Sequence, residues 1–232
     1  MSARVARTVS AMARAPGGDG GSVEAGRALD DPPRPVTPAL RDVTAVTPSG
    51  RLEVIAGPMF AGKSEELIRR VRRAHLAGLR VEVITHALDT RYAEGITAHT
   101  GDRIPARTVA DAAALRDLLR EGAPDLLAID EAQFFGPDLV APVLEAARAG
   151  SIVVVAGLSV TFDGDPFPPL PALMALAEDV RKLTAVCSVC GRDAAYHQRL
   201  RTGDEDGLEI GARSVGGAES YRARCLLHHE RP

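Results

Sequence analysis

Tryptophan is absent from this 232-residue chain, and aromatic residues as a whole make up only 3% of it. Any core must therefore be built mostly from Ala, Val, Leu and Ile. The 45% apolar content is enough for one medium domain, or for one domain and a small satellite. Cysteine is scarce too: Cys187, Cys190 and Cys225 are the only three. An odd number, clustered in the last fifth of the chain, argues against a disulfide framework and fits a thiol-preserving compartment, most simply the cytosol. Neither sign of charge dominates. A formal net charge of −3 and the lack of a basic stripe weigh against a nucleic-acid partner. No apolar run approaches the roughly 18 residues that a membrane span needs, and no signal-peptide h-region is visible, so no membrane partner is expected.

Two segments contrast in texture. Residues 1–49 hold Gly/Pro-rich stretches at 14–21 and 30–35 with weak hydrophobic periodicity. Such a stretch buries too little apolar surface to offset its ordering entropy, so a disordered extension is expected. Its start carries Arg4, Arg7 and Arg14 and no acid, a pattern shared by transit peptides, by plain tails and by chains whose start lies further on, here at Met12. From residue 51 the pattern is regular. Strands are expected over 51–56, 81–84, 125–130 and 152–156, and helices over 64–77, 110–120, 139–149 and around 173–176. Leu67, Ile68, Val71 and Ala74 give the first helix its apolar face, and Gly78 is placed to end it. Apolar strands alternating with helices predict an α/β fold: a mainly parallel sheet flanked by helices, with ligands beyond the carboxyl ends of the strands.

Gly57-Pro58-Met59-Phe60-Ala61-Gly62-Lys63-Ser64 fits G-x-x-x-x-G-K-S and lies between a strand and a helix, the context this phosphate loop requires. Its N–H groups and the helix N-terminus would cradle phosphate oxygens, Lys63 would reach the β- and γ-phosphates of ATP, and Ser64 would ligate Mg2+. The strand 125–130 ends in Asp130-Glu131. Asp130 suits Mg2+, and Glu131 suits proton abstraction from a hydroxyl or a water; without the loop, the same acids would read as a turn cap. These features give a P-loop NTPase or phosphotransferase and leave the nucleophile open.

Cys187-x-x-Cys190 and Cys225-x-x-His228 together supply three thiolates and an imidazole, a closed set typical of structural Zn2+. His229 is an alternative fourth ligand, and the alternatives to a metal are buried free thiols or a redox pair. The Gly-, Asp- and Arg-rich stretch 191–224 between the two halves could fold over a substrate.

The phosphate loop with its Pro-Met-Phe filling, Asp89-Thr90-Arg91-Tyr92, Asp130-Glu131-Ala132-Gln133-Phe134-Phe135, Gly157-Leu158 leading to Phe162 and Pro166-Phe167, and the Cys/Cys/Cys/His quartet together resemble the cytosolic-type (type II) thymidine kinases, over about residues 51–229. The resemblance implies ATP-dependent phosphorylation of the thymidine 5′-hydroxyl, with deoxyuridine also accepted, in a cytoplasmic homotetramer that dTTP inhibits. It implies a P-loop kinase domain with a RecA-like sheet over 50–183 and a small zinc-bound lasso domain over 184–232. Residue by residue, Lys63, Arg91 and Glu131 resemble the catalytic set. The loop residues 57–64, with Asp89, Asp130, Glu131, Ala132 and Gln133, resemble the ATP and Mg2+ site. Met59, Tyr92, Phe134, Leu158, Phe162 and Phe167 resemble the nucleoside pocket, and Ser214, Val215, Gly216, Gly217 and Tyr221 its lasso. His197 stands where the family often has a small hydroxyl residue beside the thymine methyl, and Asp163-Gly164-Asp165 puts two acids near the nucleoside loop.

Overall fold

The computed structural model describes residues 50–88, 95–97, 101, 103–200 and 220–231, all within one compact unit. The expectations for residues 1–49, for Asp89 to Tyr92 and for Ser214 to Gly217 lie outside the described residues.

Six strands form one sheet: β1 (Arg51–Gly57), β2 (Val81–His86), β5 (Arg107–Val109), β6 (Leu126–Ile129), β7 (Ile152–Leu158) and β8 (Asp179–Lys182). Their order is β5-β2-β6-β7-β1-β8, and every neighbouring pair is parallel. This is the α/β architecture expected from the sequence. The helices are α1 (Lys63–Leu76), α2 (Ala112–Glu121), α3 (Val140–Arg148) and α4 (Leu170–Leu176). Three short antiparallel pairs stand beside the sheet among the described residues: β3 (Ile96–Thr97) with β4 (Arg103–Ile104), β9 (Ala185–Val186) with β10 (Asp193–Ala194), and the longer β11 (Tyr196–Arg199) with β12 (Tyr221–Arg224).

Period-2 alternation gives the sheet two apolar faces. Leu52, Val54, Leu127, Ile129, Val153 and Val155 pack with Leu115 of α2, Val143 of α3 and Leu173 of α4. Ile55, Ala128, Val154 and Ala156 pack on the other side with Leu67, Ile68 and Val71 of α1. Each fully buried Leu, Ile or Val contributes roughly 1.5–3 kcal/mol, so the central strands β6, β7 and β1 hold the fold together. Glu53 is the exception on β1. It is buried on the α1 face and meets Arg70, which also reaches Glu66 at 2.9 Å and Asp179 at 3.2 Å. That network locks α1 to β1 and to the edge strand β8.

The helix ends follow local chemistry. Glu65 and Glu66 sit in the first turn of α1 and Arg73 and His75 in the last, each complementing the helix dipole. Two helices begin later than the periodicity predicts. The Asp111 carboxylate accepts the Ala114 N–H at 2.8 Å, which fixes the start of α2. Pro137 opens a 3-10 turn through Leu139, so α3 starts at Val140. Strands β5 and β8 are short and rich in charge, and the hydrophobic pattern does not predict them.

Candidate active site and metal knot

The phosphate loop joins β1 to α1. Phe60 (φ 67°) and Gly62 (φ 79°) both take left-handed backbone, which folds the loop tightly over the end of the sheet. Lys63 is buried, and its Nζ donates to the Pro58 carbonyl at 2.8 Å across the loop. The neighbouring Ser64 Oγ donates to Asp130 Oδ2 at 2.9 Å, although 66 residues separate them in sequence. The parallel sheet brings the two together. Strands β1 and β6 flank β7, and both run their carboxyl ends toward the same edge.

Asp130 is buried, and its Oδ1 accepts the Glu131 N–H at 3.0 Å. Burial and the adjacent Glu131 carboxylate push its carboxyl up to about 7, against the Ser64 hydroxyl and the Lys63 charge. A buried carboxylate in this state fits a cation. Ser64 Oγ and Asp130 Oδ2 are both hard oxygen donors at one point, the chemistry that suits Mg2+ beside a nucleotide phosphate.

Glu131 is left-handed (φ 51°, ψ 43°), a conformation uncommon outside glycine, and it opens the 3-10 turn Ala132–Phe135. Gln133, itself buried, donates from Nε2 to Glu131 Oε2 at 2.5 Å and accepts the Leu158 N–H on Oε1 at 3.0 Å. The carboxylate is thereby tied to the end of β7. Gly157 makes this possible: a Cβ there would lie 2.9 Å from Gln133 Oε1 and 2.9 Å from Leu170 Cδ2. Ala132 and Phe135 pack into the core beneath the site, and Phe134 is half-buried with its ring 6.1 Å from His86.

Beside the loop lies an apolar cluster of Met59, Leu158, Phe167 and Tyr221, with Phe60 and Phe162 against it. Five residues anticipated for the nucleoside pocket therefore converge from four separate segments. His197, on β11, has its ring edge-on to Tyr221 at 5.7 Å. It is 2% exposed, and its Nδ1 has no hydrogen-bond partner among the described residues. Burial, reinforced by the Lys63 charge, holds this imidazole down to about 3, so it is neutral at physiological pH. The buried Ser159 Oγ likewise lacks a partner. Sequence reasoning missed Ser159, quoted Gly157 only as part of the Gly157-Leu158 motif, and did not anticipate that Gln133 bridges Glu131 and β7. The only available signal was their position immediately around the ends of β6 and β7.

In the C-terminal part, Cys187, Cys190, Cys225 and His228 offer ligand atoms all within 4.8 Å of one another. Cys190 and Cys225 Sγ are 3.7 Å apart, and His228 Nδ1 lies 3.7 Å from Cys187 Sγ and 3.3 Å from Cys225 Sγ. A tetrahedron with Zn–S bonds of 2.3 Å has S···S edges of about 3.8 Å, so the donor set fits zinc. Burial opposes ionisation of Cys187, yet backbone N–H groups of Cys225, Val189 and Cys190 and the His228 imidazole hold its thiol down to about 5, ready to ligate. His229 points elsewhere, with its Nε2 on the Phe162 carbonyl.

A sequence model of the thymidine kinase family matches residues 50–229, spanning the phosphate loop, the acidic strand end and the metal knot. The chain belongs to the thymidine kinase family. Relatives in the family are similar over most of their length. The thymidine kinase of Deinococcus deserti is 49% identical over 190 residues, covering 78% of this chain and 94% of its own. That of Deinococcus radiodurans is 48% identical, covering 78% and 90%. That of Coprothermobacter proteolyticus is 44% identical over 188 residues, covering 81% and 94%. Among solved structures, domain III of the Thermotoga maritima replication initiation protein DnaA overlaps 59% of this chain and 56% of its own at 18% identity, with a TM-score of 0.37; nothing functional rests on that likeness. No helix among the described residues is long and apolar enough to cross a membrane.

Proposed function

We propose that the protein is an ATP-dependent thymidine kinase that transfers the γ-phosphoryl group to the thymidine 5′-hydroxyl, giving dTMP and ADP, and that it also accepts deoxyuridine. The observation that carries this reading is the Gln133 bridge. It ties the Glu131 carboxylate to the Leu158 N–H, and Leu158 is part of the wall of the apolar cluster. A base serving only water has no need of such a link. A base serving a hydroxyl on a molecule held in that cluster does.

The labour divides as follows. The N–H groups of loop 57–64 and Lys63 hold the phosphates, and Arg91 adds positive charge as the γ-phosphoryl group moves. Ser64 and Asp130 would hold Mg2+, which neutralises charge on the phosphate oxygens. Glu131 accepts the 5′-hydroxyl proton, and Gln133 aims it. Phe162, Phe167, Leu158 and Met59, with Tyr92 and Phe134, enclose the base, while His197 offers the pocket a polar atom. Ser214 to Gly217 and Tyr221 close over the nucleoside and exclude water, which would otherwise compete for the phosphoryl group. Residues 184–232 form the lasso part, where the Cys187, Cys190, Cys225 and His228 set holds zinc in a structural role. All four positions are protein ligands, which leaves no site for reacting water. In this reading the enzyme works as a cytoplasmic homotetramer. ADP release measured with and without thymidine tests the proposal: release should require the nucleoside, and equal release without it would assign the site to water.

A further inference from the structure

The turn that closes the metal knot faces two ways. The N–H groups of His228 and His229 both donate to the Cys225 carbonyl at 3.0 Å, so 225–229 is a single tight turn. It presents His228 Nδ1 to the thiols and sends His229 in another direction. His229 Nε2 donates to the Phe162 carbonyl at 2.9 Å, and its ring stacks on Tyr196 with centroids 4.8 Å apart and planes 25° apart. Beyond it, Arg231 lies 3.3 Å from Asp165, an exposed pair that adds little by itself.

The segment being gripped is the turn 159–167. It is closed by the Thr161 N–H to the Asp165 carbonyl at 2.8 Å, by the Phe167 N–H to the Ser159 carbonyl at 3.1 Å and by a bridge between Val160 and Pro166. Phe162 and Phe167 project from this turn to the Met59, Leu158 and Tyr221 cluster. Gly164 records how closely the two turns meet. Its backbone is left-handed (φ +86°), and a Cβ on it would stand 2.9 Å from His229 Cε1. The Asp163-Gly164-Asp165 sequence thus makes room for His229 and supplies its neighbour Arg231 with an acid.

We infer that His229 is a positioning residue for nucleoside binding: through the Phe162 carbonyl it fastens the 159–167 turn, and with it the Phe162 and Phe167 walls, to the metal-bound 225–229 turn. The inference rests on the nucleoside reading of the pocket given above. It makes the metal knot a determinant of nucleoside affinity.

The test uses the full chain as wild type, His229→Ala, His229→Gln and Gly164→Ala. Zinc content, thymidine affinity and ADP affinity by calorimetry, and amide hydrogen exchange over 159–167 are measured for each. His229→Ala should keep one zinc per chain and wild-type ADP affinity. It should bind thymidine about fivefold to tenfold more weakly, the loss of one part-buried hydrogen bond and its ordering effect, with faster exchange over 159–167. His229→Gln, whose side-chain amide can reach the same carbonyl, should recover most of the affinity. Gly164→Ala should behave like His229→Ala. Wild-type thymidine affinity and exchange in His229→Ala would overturn the inference, and so would loss of zinc, which would make His229 part of the metal set. If wild type itself binds no thymidine, the functional reading fails, and exchange over 159–167 still decides whether His229 fastens the turn.

Discussion

Replacing His197 with leucine perturbs one buried ring of similar volume and produces effects of opposite sign on stability and on binding. His197 is 2% exposed, its Nδ1 has no partner among the described residues, and burial holds it down to about 3. An unsatisfied buried polar group costs about 1–3 kcal/mol. Leucine removes that cost and loses an edge contact with Tyr221 worth about 0.5–1.5 kcal/mol. At pH 7.5 the variant should therefore be as stable as wild type or about 1 kcal/mol more so. Lowering the pH widens the gap. Because the folded pKa is depressed, the unfolded state takes up a proton below about 6.5 that the native state refuses, so the wild type's stability is complete above that pH and declines as pH falls toward 3. One pH unit below 6.5 is worth about 1.4 kcal/mol, so at pH 5.5 the variant should lead by that much more. Urea unfolding at the two pH values, with zinc present for both proteins, reads this directly. On the proposed nucleoside reading, thymidine affinity should move the other way, because leucine removes the polar atom that His197 offers the ligand. A stability difference that is the same at pH 7.5 and 5.5 would refute the reasoning, since His197 would then titrate as an ordinary exposed histidine.

Glu131→Gln should remove most turnover, about 100-fold or more for a lost general base, while calorimetry shows nucleoside binding largely kept; near-normal kcat would exclude Glu131 as the base. Asp130→Asn should stabilise the Mg2+-free protein at pH 8, by more than about 1 kcal/mol. The wild-type carboxyl is raised to about 7 by burial and by Glu131, so its proton stabilises the native state at low pH and that contribution is lost as pH rises from about 4 to 7. Urea unfolding across that range should show a wild-type decline that the variant lacks, and Mg2+ with ADP should stabilise wild type more than the variant.

Much of the site could be read from the sequence because its motifs are local. The phosphate loop announces itself by spacing, and the four apolar positions expected on α1, Leu67, Ile68, Val71 and Ala74, are buried in the structure. The Cys187, Cys190, Cys225 and His228 set converges for the same reason, as two short x-x spacings place each ligand pair on one turn. What escaped depends on distant segments meeting. Nothing near Gln133 in sequence indicates that its amide spans Glu131 and Leu158, because that geometry exists only once β6 and β7 pair. His229 looks like a spare metal ligand until the 159–167 turn is in place beside it. Strand β8 is hidden by its composition: Asp179, Arg181 and Lys182 leave one apolar residue in four, which suits an edge strand and defeats a hydrophobic pattern. Phe135 turns out to be a core residue, edge-on to His86 at 4.6 Å, a role its position beside Phe134 does not distinguish from lining the pocket.

If Glu131 serves a nucleoside hydroxyl held in the Met59, Leu158 and Phe167 pocket, the γ-phosphoryl group of ATP must end on that hydroxyl. The most direct measurement follows the label from γ-labelled ATP with Mg2+ across the four natural deoxynucleosides and deoxyuridine. Label should appear on the 5′-oxygen of thymidine, with deoxyuridine as a second acceptor, and one ADP should be released per dTMP formed. Label released as free phosphate at the same rate whether or not any nucleoside is present would contradict it.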